Sequence, residues 1–144
     1  MISALFNGIY GRFKSTSPVP SFYTDIGGRM YLSECPQNTP YPNATFDLVS
    51  GSHDWDFQND FDQATIQFNI YSESNSAVEI TDAENKLSAL YDDCLLATSD
   101  LGASWKRVSC HKDNFWLDKI PHPDSSGGGN LWRCVVEYNV MLTR

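Results

Sequence analysis

The densest run of reactive side chains is His53-Asp54-Trp55-Asp56-Phe57-Gln58-Asn59-Asp60-Phe61-Asp62, where carboxylates are interleaved with aromatic rings. An Asp-x-Asp beside a histidine is a donor set for a hard divalent cation. The run lacks the glycine at the sixth position and the glutamate at the twelfth that an EF-hand loop needs, so metal is the lesser reading. Rings and carboxylates in alternation suit an extended arm that docks aromatics on a partner and shows acids to solvent or to a lumen.

Other constellations carry less chemistry. His53, His111 and His122 sit in unrelated segments, and no G-x-S-x-G, H-E-x-x-H or C-x-x-C occurs. Ser109 and His111 could join an aspartate only through the fold, so no catalytic residue is assigned. Asp92 and Asp93 close a helical stretch at the pole its dipole disfavours, which suits a solvated face or a subunit contact. The Ser125-to-Asn130 stretch holds three glycines but no phosphate-loop pattern, and a strand follows it, so it reads as a hairpin tip. Cys35, Cys94, Cys110 and Cys134 are scattered without metal-ligand spacing and read as reduced, buried small hydrophobes. No cofactor or metal site follows from any of these.

These side chains ride on 144 residues, 41% hydrophobic and 19% charged, which describes one domain spanning 1–144. The formal charge of −8 has the wrong sign for gripping a phosphate backbone or an anionic membrane. The N-terminal apolar residues are interrupted by Ser3, Asn7 and Gly8, without a basic lead or a spanning length, so folding in cytoplasm is expected.

Ile2, Leu5, Phe6, Ile9 and Phe13 recur at helical period, predicting an amphipathic helix that ends before Pro18 and Pro20. After a turn at Gly27-Gly28, a short strand follows at residues 29–32, then a loop with three prolines. Alternation predicts strands over 44–49 and 64–71 with residues 50–62 as an irregular arm between them. Ser76 and Glu79 fit a capping box, and Ile80, Ala83, Leu87, Leu90, Tyr91 and Cys94 then share a face, predicting a second helix that exits near Leu101-Gly102. Residues 105–119 and the strand carrying Trp132, Cys134, Val136, Tyr138, Val140 and Leu142 predict a long C-terminal hairpin. The expected fold is α+β: an antiparallel sheet of four to five strands with two helices on one face.

Charge is distributed unevenly along this order. Residues 30–105 hold thirteen acids and the single base Lys86, a balance of −12, whereas the two ends together hold nine bases and five acids, +4. If the blocks occupy different faces, one subunit's basic side complements its neighbour's acidic side, as a head-to-tail ring requires.

The order of parts resembles the tail terminator, or tail completion, proteins of long-tailed bacteriophages. The resemblance rests on the N-terminal amphipathic helix, Arg29-Met30-Tyr31 before the Pro-rich loop, and a strand opening after Pro40-Tyr41-Pro42. Phe68-Asn69-Ile70-Tyr71-Ser72, the helix through Leu87 and Leu90, and Trp132-Arg133-Cys134-Val135-Val136-Glu137-Tyr138 complete it. It implies a non-enzymatic virion subunit, assembled in host cytoplasm, that forms a ring, with a hexamer the expected state. The ring would lie at the head-proximal end of the tail tube, with the tube protein and the head connector as partners and DNA passing through its lumen. An adjacent neck or head-completion adaptor is the alternative, with a small metal-dependent enzyme behind it. In a ring DNA must cross, carboxylates repel phosphates, so Asp54, Asp56, Asp60 and Asp62 are the lumen candidates. Trp55, Phe57, Lys106, Arg107 and Arg133 are the candidates for subunit or tube contacts.

Overall fold

The computed structural model describes residues 2–14, 22–55, 60–96, 107–123 and 129–143. Its elements run α1 (Ile2–Phe13), α2 (Phe22–Asp25), β1 (Met30–Leu32), β2 (Asn43–Trp55), β3 (Asp60–Ser72), α3 (Val78–Tyr91), β4 (Cys94–Leu95), β5 (Arg107–Pro121) and β6 (Asn130–Thr143). The strands form one sheet in the order β1-β2-β3-β6-β5-β4. The architecture is α+β, with six strands among the described residues where four to five were expected and a third, single-turn helix.

Burial follows period. On β3, Ile66, Phe68 and Ile70 turn to the core, and on β6 so do Cys134, Val136, Tyr138, Val140 and Leu142. These two strands pair over twelve residues, from Phe61 opposite Thr143 to Ser72 opposite Trp132, and occupy the middle of the sheet. Leu5, Ile9 and Phe13 of α1 and Ile80, Ala83, Leu87, Leu90 and Tyr91 of α3 join the same core. Phe68 lies 4.8 Å from the Tyr91 ring and 5.7 Å from that of Tyr138, so one aromatic group links sheet to helix. Across the helices, Tyr91 donates its hydroxyl to the Ile9 carbonyl at 2.7 Å and Arg12 Nε donates to the Leu90 carbonyl.

Several boundaries depart from the sequence expectation, each for a physical reason. β1 lies parallel to β2, Met30 opposite Ala44, so the sheet is mixed rather than wholly antiparallel. The Pro-rich loop returns the chain to the start of β2, using left-handed backbone at Ser33 and Asn38. Residues 50–55 are strand rather than irregular arm. A register shift between Leu48 and Ser50 inserts Val49 as an extra residue, which breaks the alternation while the ladder continues to Trp55 opposite Asp60.

α3 ends at Tyr91, about ten residues early, and Cys94 belongs to β4 rather than to the helical stripe. The Asp92 carboxylate instead accepts the Lys112 N–H at 3.0 Å and Asp93 meets His111 at 2.7 Å, so both acids serve β5 once the helix has stopped. The capping box does not close either. Glu79 accepts the Ser72 hydroxyl at 2.9 Å instead of reaching back to Ser76.

The Tyr91 hydroxyl is buried and well bonded, whereas the Tyr138 hydroxyl reaches only Ser88 Oγ at 3.5 Å. Tyr91→Phe is expected to lower stability by about 1–1.5 kcal/mol and Tyr138→Phe by less than about 0.5 kcal/mol, read from urea midpoints at constant slope.

Candidate functional site

Of the acidic segment 53–62, residues 53–55 end β2 and residues 60–62 open β3. Asp54 and Trp55 end β2, where their backbones pair with Phe61 and Asp60. Asp60 opens β3, while Asp56 and Phe57 lie outside the described residues. Asp62, opposite His53 on one side and Leu142 on the other, is 4% exposed, so a lumen would see little of it. From residue 43 to 72 the hairpin carries five aspartates and no lysine or arginine.

The basic candidates divide between the two ends of the sheet. Arg107 opens β5 opposite Thr143, which also faces Phe61, so Arg107 shares an end with the acidic hairpin tip across one intervening strand. Lys106 lies outside the described residues. Arg133 is at the opposite end of β6. Its Nε and Nη2 hold Asp118 Oδ1 and Oδ2 at 3.0 and 2.7 Å, a two-pronged pair with the neighbouring strand. That hydrogen bonding holds the Asp118 carboxyl below its ordinary range and raises Arg133. The structure therefore does not gather Arg133 with the other candidates.

Sequence reasoning missed an exposed apolar group on β5. Phe115, Trp116 and Leu117 are 59%, 37% and 40% exposed. Phe115 and Leu117 lie opposite the core residues Val136 and Cys134, hence on the helix-bearing face, and Trp116 turns to the other face. The signal was three consecutive apolar residues inside an otherwise polar strand, which alternation reads as noise.

Beneath the Pro-rich loop lies an open cleft of 360 Å³, lined among others by Cys35, Asn43, Thr45, Tyr71, Ile120 and Leu131. Burial raises the Tyr71 hydroxyl above its ordinary value, with Arg133 pulling the other way. Among the described residues no group of three His, Cys, Asp or Glu could hold a metal ion. His111 meets Asp93 on open surface, with side chains 61% and 80% exposed, so this pair has no pocket around it.

Cys94, Cys110 and Cys134 are buried, as the composition suggests, but Cys35 is only half-buried. Cys94 and Cys110 face each other across β4 and β5, and the hydrogen bond between their sulfurs, with burial, pushes the Cys110 thiol up. Burial takes Cys134 to about 11.

No protein-family model and no curated protein matches the sequence. Among solved structures, the chain is similar to a chain from the virion of a native gene transfer agent particle, with a TM-score of 0.66 and 9% identity. The similarity covers 94% of this chain and 92% of that one. It is a likeness of fold over nearly the whole length of both.

Two outcomes follow from the site geometry. A thiol reagent added to native protein should label Cys35 alone, at a rate still climbing near pH ~9, because burial raises this thiol too. The other three should react only after denaturation, and Cys35→Ser should abolish native labelling. For Asp118, whose folded carboxyl is the more acidic, the pair's contribution is present above the unfolded value near ~3.9 and is lost as pH falls through the folded one. Asp118→Asn should therefore cost under about 1 kcal/mol at neutral pH, since the pair is exposed, and the gap to wild type should close as an acid titration passes below the folded carboxyl's lowered value.

Proposed function

We propose that the chain is a structural subunit of a phage-like particle, forming a ring at the head-proximal end of the tail tube. The ring ends tube growth, joins the tail to the head connector and lets DNA pass. The observation that carries this reading is the end-to-end likeness of fold to a gene transfer agent virion chain. The order of elements that resembles tail terminators points the same way, and the charge layout gives the reading a physical basis.

A subunit whose hairpin holds five aspartates and no base creates, when repeated around an axis, a field that repels phosphates instead of binding them. Such a lumen favours sliding, because each phosphate meets no fixed cation to release it from. In this reading Asp54, Asp56 and Asp60 at the hairpin end face the channel. Trp55 and Phe57 from the same end, with Lys106 and Arg107, meet the neighbouring subunit or the tube. A hexamer is the proposed stoichiometry, its partners are further copies of this chain, the tube protein and the connector, and no catalytic step or cofactor is involved.

Deleting the gene from the particle that carries it should give tails of uncontrolled length, scored by negative-stain electron microscopy. Normal tails on filled heads would sink the proposal. Tails of normal length detached from filled heads would point instead to the adjacent neck adaptor. In particles that do assemble, replacing Asp54, Asp56 and Asp60 together with asparagine should leave morphology intact and slow DNA ejection. Unchanged ejection kinetics would remove the lumen assignment.

A further inference from the structure

The sheet leaves half of each outer long strand without a neighbour among the described residues. On one side β1 covers only Ala44–Phe46 of β2, leaving residues 47–55 open. On the other, β4 covers only Ser109 and Cys110 of β5. Asp92 and Asp93 cap the next two positions through the Lys112 N–H and the His111 ring, leaving residues 113–121 open.

The open stretch of β5 has its backbone aimed outward. Lys112 gives its N–H to Asp92 rather than to β6, and Phe115 gives its own to the Asn114 side chain at 2.9 Å. With the bulge lying between Lys112 and Asn114, the two-residue alternation then turns the N–H and C=O of Leu117 and Lys119 outward as well. An edge strand with outward-facing amides and three exposed apolar side chains is a template for another strand.

We propose that residues 113–121 of β5 are the docking strand for a second copy of this chain, which pairs with it through residues 47–55 of its own β2. Three features of the chain select a second copy as the occupant. The two open stretches are similar in length, nine residues each. β2 and β5 run in opposite directions, since three antiparallel pairings separate them, so copies standing the same way up would meet antiparallel. Finally, the exposed Val49 on β2 gives the apolar group on β5 a counterpart.

The open halves lie at opposite ends of the sheet. Each copy must therefore sit about half a strand higher or lower than the next, and closure of such a series requires the strands to tilt against the ring axis. The contact is heterologous, so it propagates until the rotation closes.

This inference rests on the ring reading for its biological setting, and its test is separate from the particle morphology above. The full-length chain is followed by sedimentation velocity over a rising concentration series, together with Leu117→Pro, which removes one outward N–H, and Phe115→Lys, which breaks the apolar contact. Proline is tolerated where an edge amide faces out, and both variants are checked for a native circular dichroism spectrum. Wild type should assemble beyond monomer, Leu117→Pro should remain monomeric, and Phe115→Lys should need at least about tenfold more protein to assemble. Zero-length coupling of mixed heavy and light isotopic copies should join Lys119, the one lysine of the docking stretch, to a carboxylate of the β2–β3 hairpin between copies.

A wild-type chain that stays monomeric throughout would overturn the docking strand, as would assembly unaffected by either variant or coupling confined to other surfaces. If the predicted assembly is found and the deletion particle has normal tails, the docking strand stands and only the tail role falls.

Discussion

The packing of Phe68 against Tyr91 and Tyr138 is the contact on which the rest of the structure depends. Each ring belongs to a different element, β3, α3 and β6, and all three are buried. Because β3 and β6 occupy the middle of the sheet, fixing their faces against α3 fixes the face of every strand paired outward from them. A slip of one residue between them would turn Ile66, Phe68 and Ile70 to the other side, so the long β3–β6 ladder admits one register. Burial also raises the Tyr91 and Tyr138 hydroxyls well above their ordinary values, and both remain neutral hydrogen-bonding groups at any physiological pH.

From that centre the sheet spreads to two unlike margins. On one side stands a hairpin with four of its five aspartates between residues 54 and 62; on the other, a strand that mixes lysines and aspartates with exposed aromatic and aliphatic side chains. Since the central strands have no free edge, any sheet-to-sheet association must use these margins. Helices α1 and α3 cover one face, and the Pro-rich loop overhangs part of the other to form the open cleft. Across the sheet the charge imbalance appears as one acidic margin, the −5 hairpin, and one where β5, with Asp92 and Asp93 against it, holds acids and bases nearly in balance. This arrangement arises because sequence-adjacent β2 and β3 are also spatial neighbours, while β6 inserts beside β3 and carries β5 to the far side.

Legibility varied with the physics of each element. The stripe of α1 and the buried positions of α3 were readable because burial on one helical face imposes a 3.6-residue period. β3 and β6 were readable because each has one face in the core. The end of α3 was not, since Cys94 is apolar and in phase with the stripe yet belongs to β4, and only the partners of Asp92 and Asp93 on β5 mark the stop. The extension of β2 was hidden by the single residue inserted at Val49. Among the site candidates, the sequence identified the acidic segment but not its place at a hairpin end, and it grouped Arg133 with Arg107 although the two occupy opposite ends of the sheet.

By itself the sequence determined the class of fold, the central strands and the imbalance of charge, because each is a property of composition or of short-range period. Only the tertiary structure decided that β6 lies between β3 and β5, that β1 runs parallel to β2, and that Phe115, Trp116 and Leu117 stand on an open edge. Those facts depend on which strand neighbours which, a pairing of residues distant in sequence. No local pattern encodes it, because the same alternation of side chains would satisfy several strand orders until the helices and the core select one.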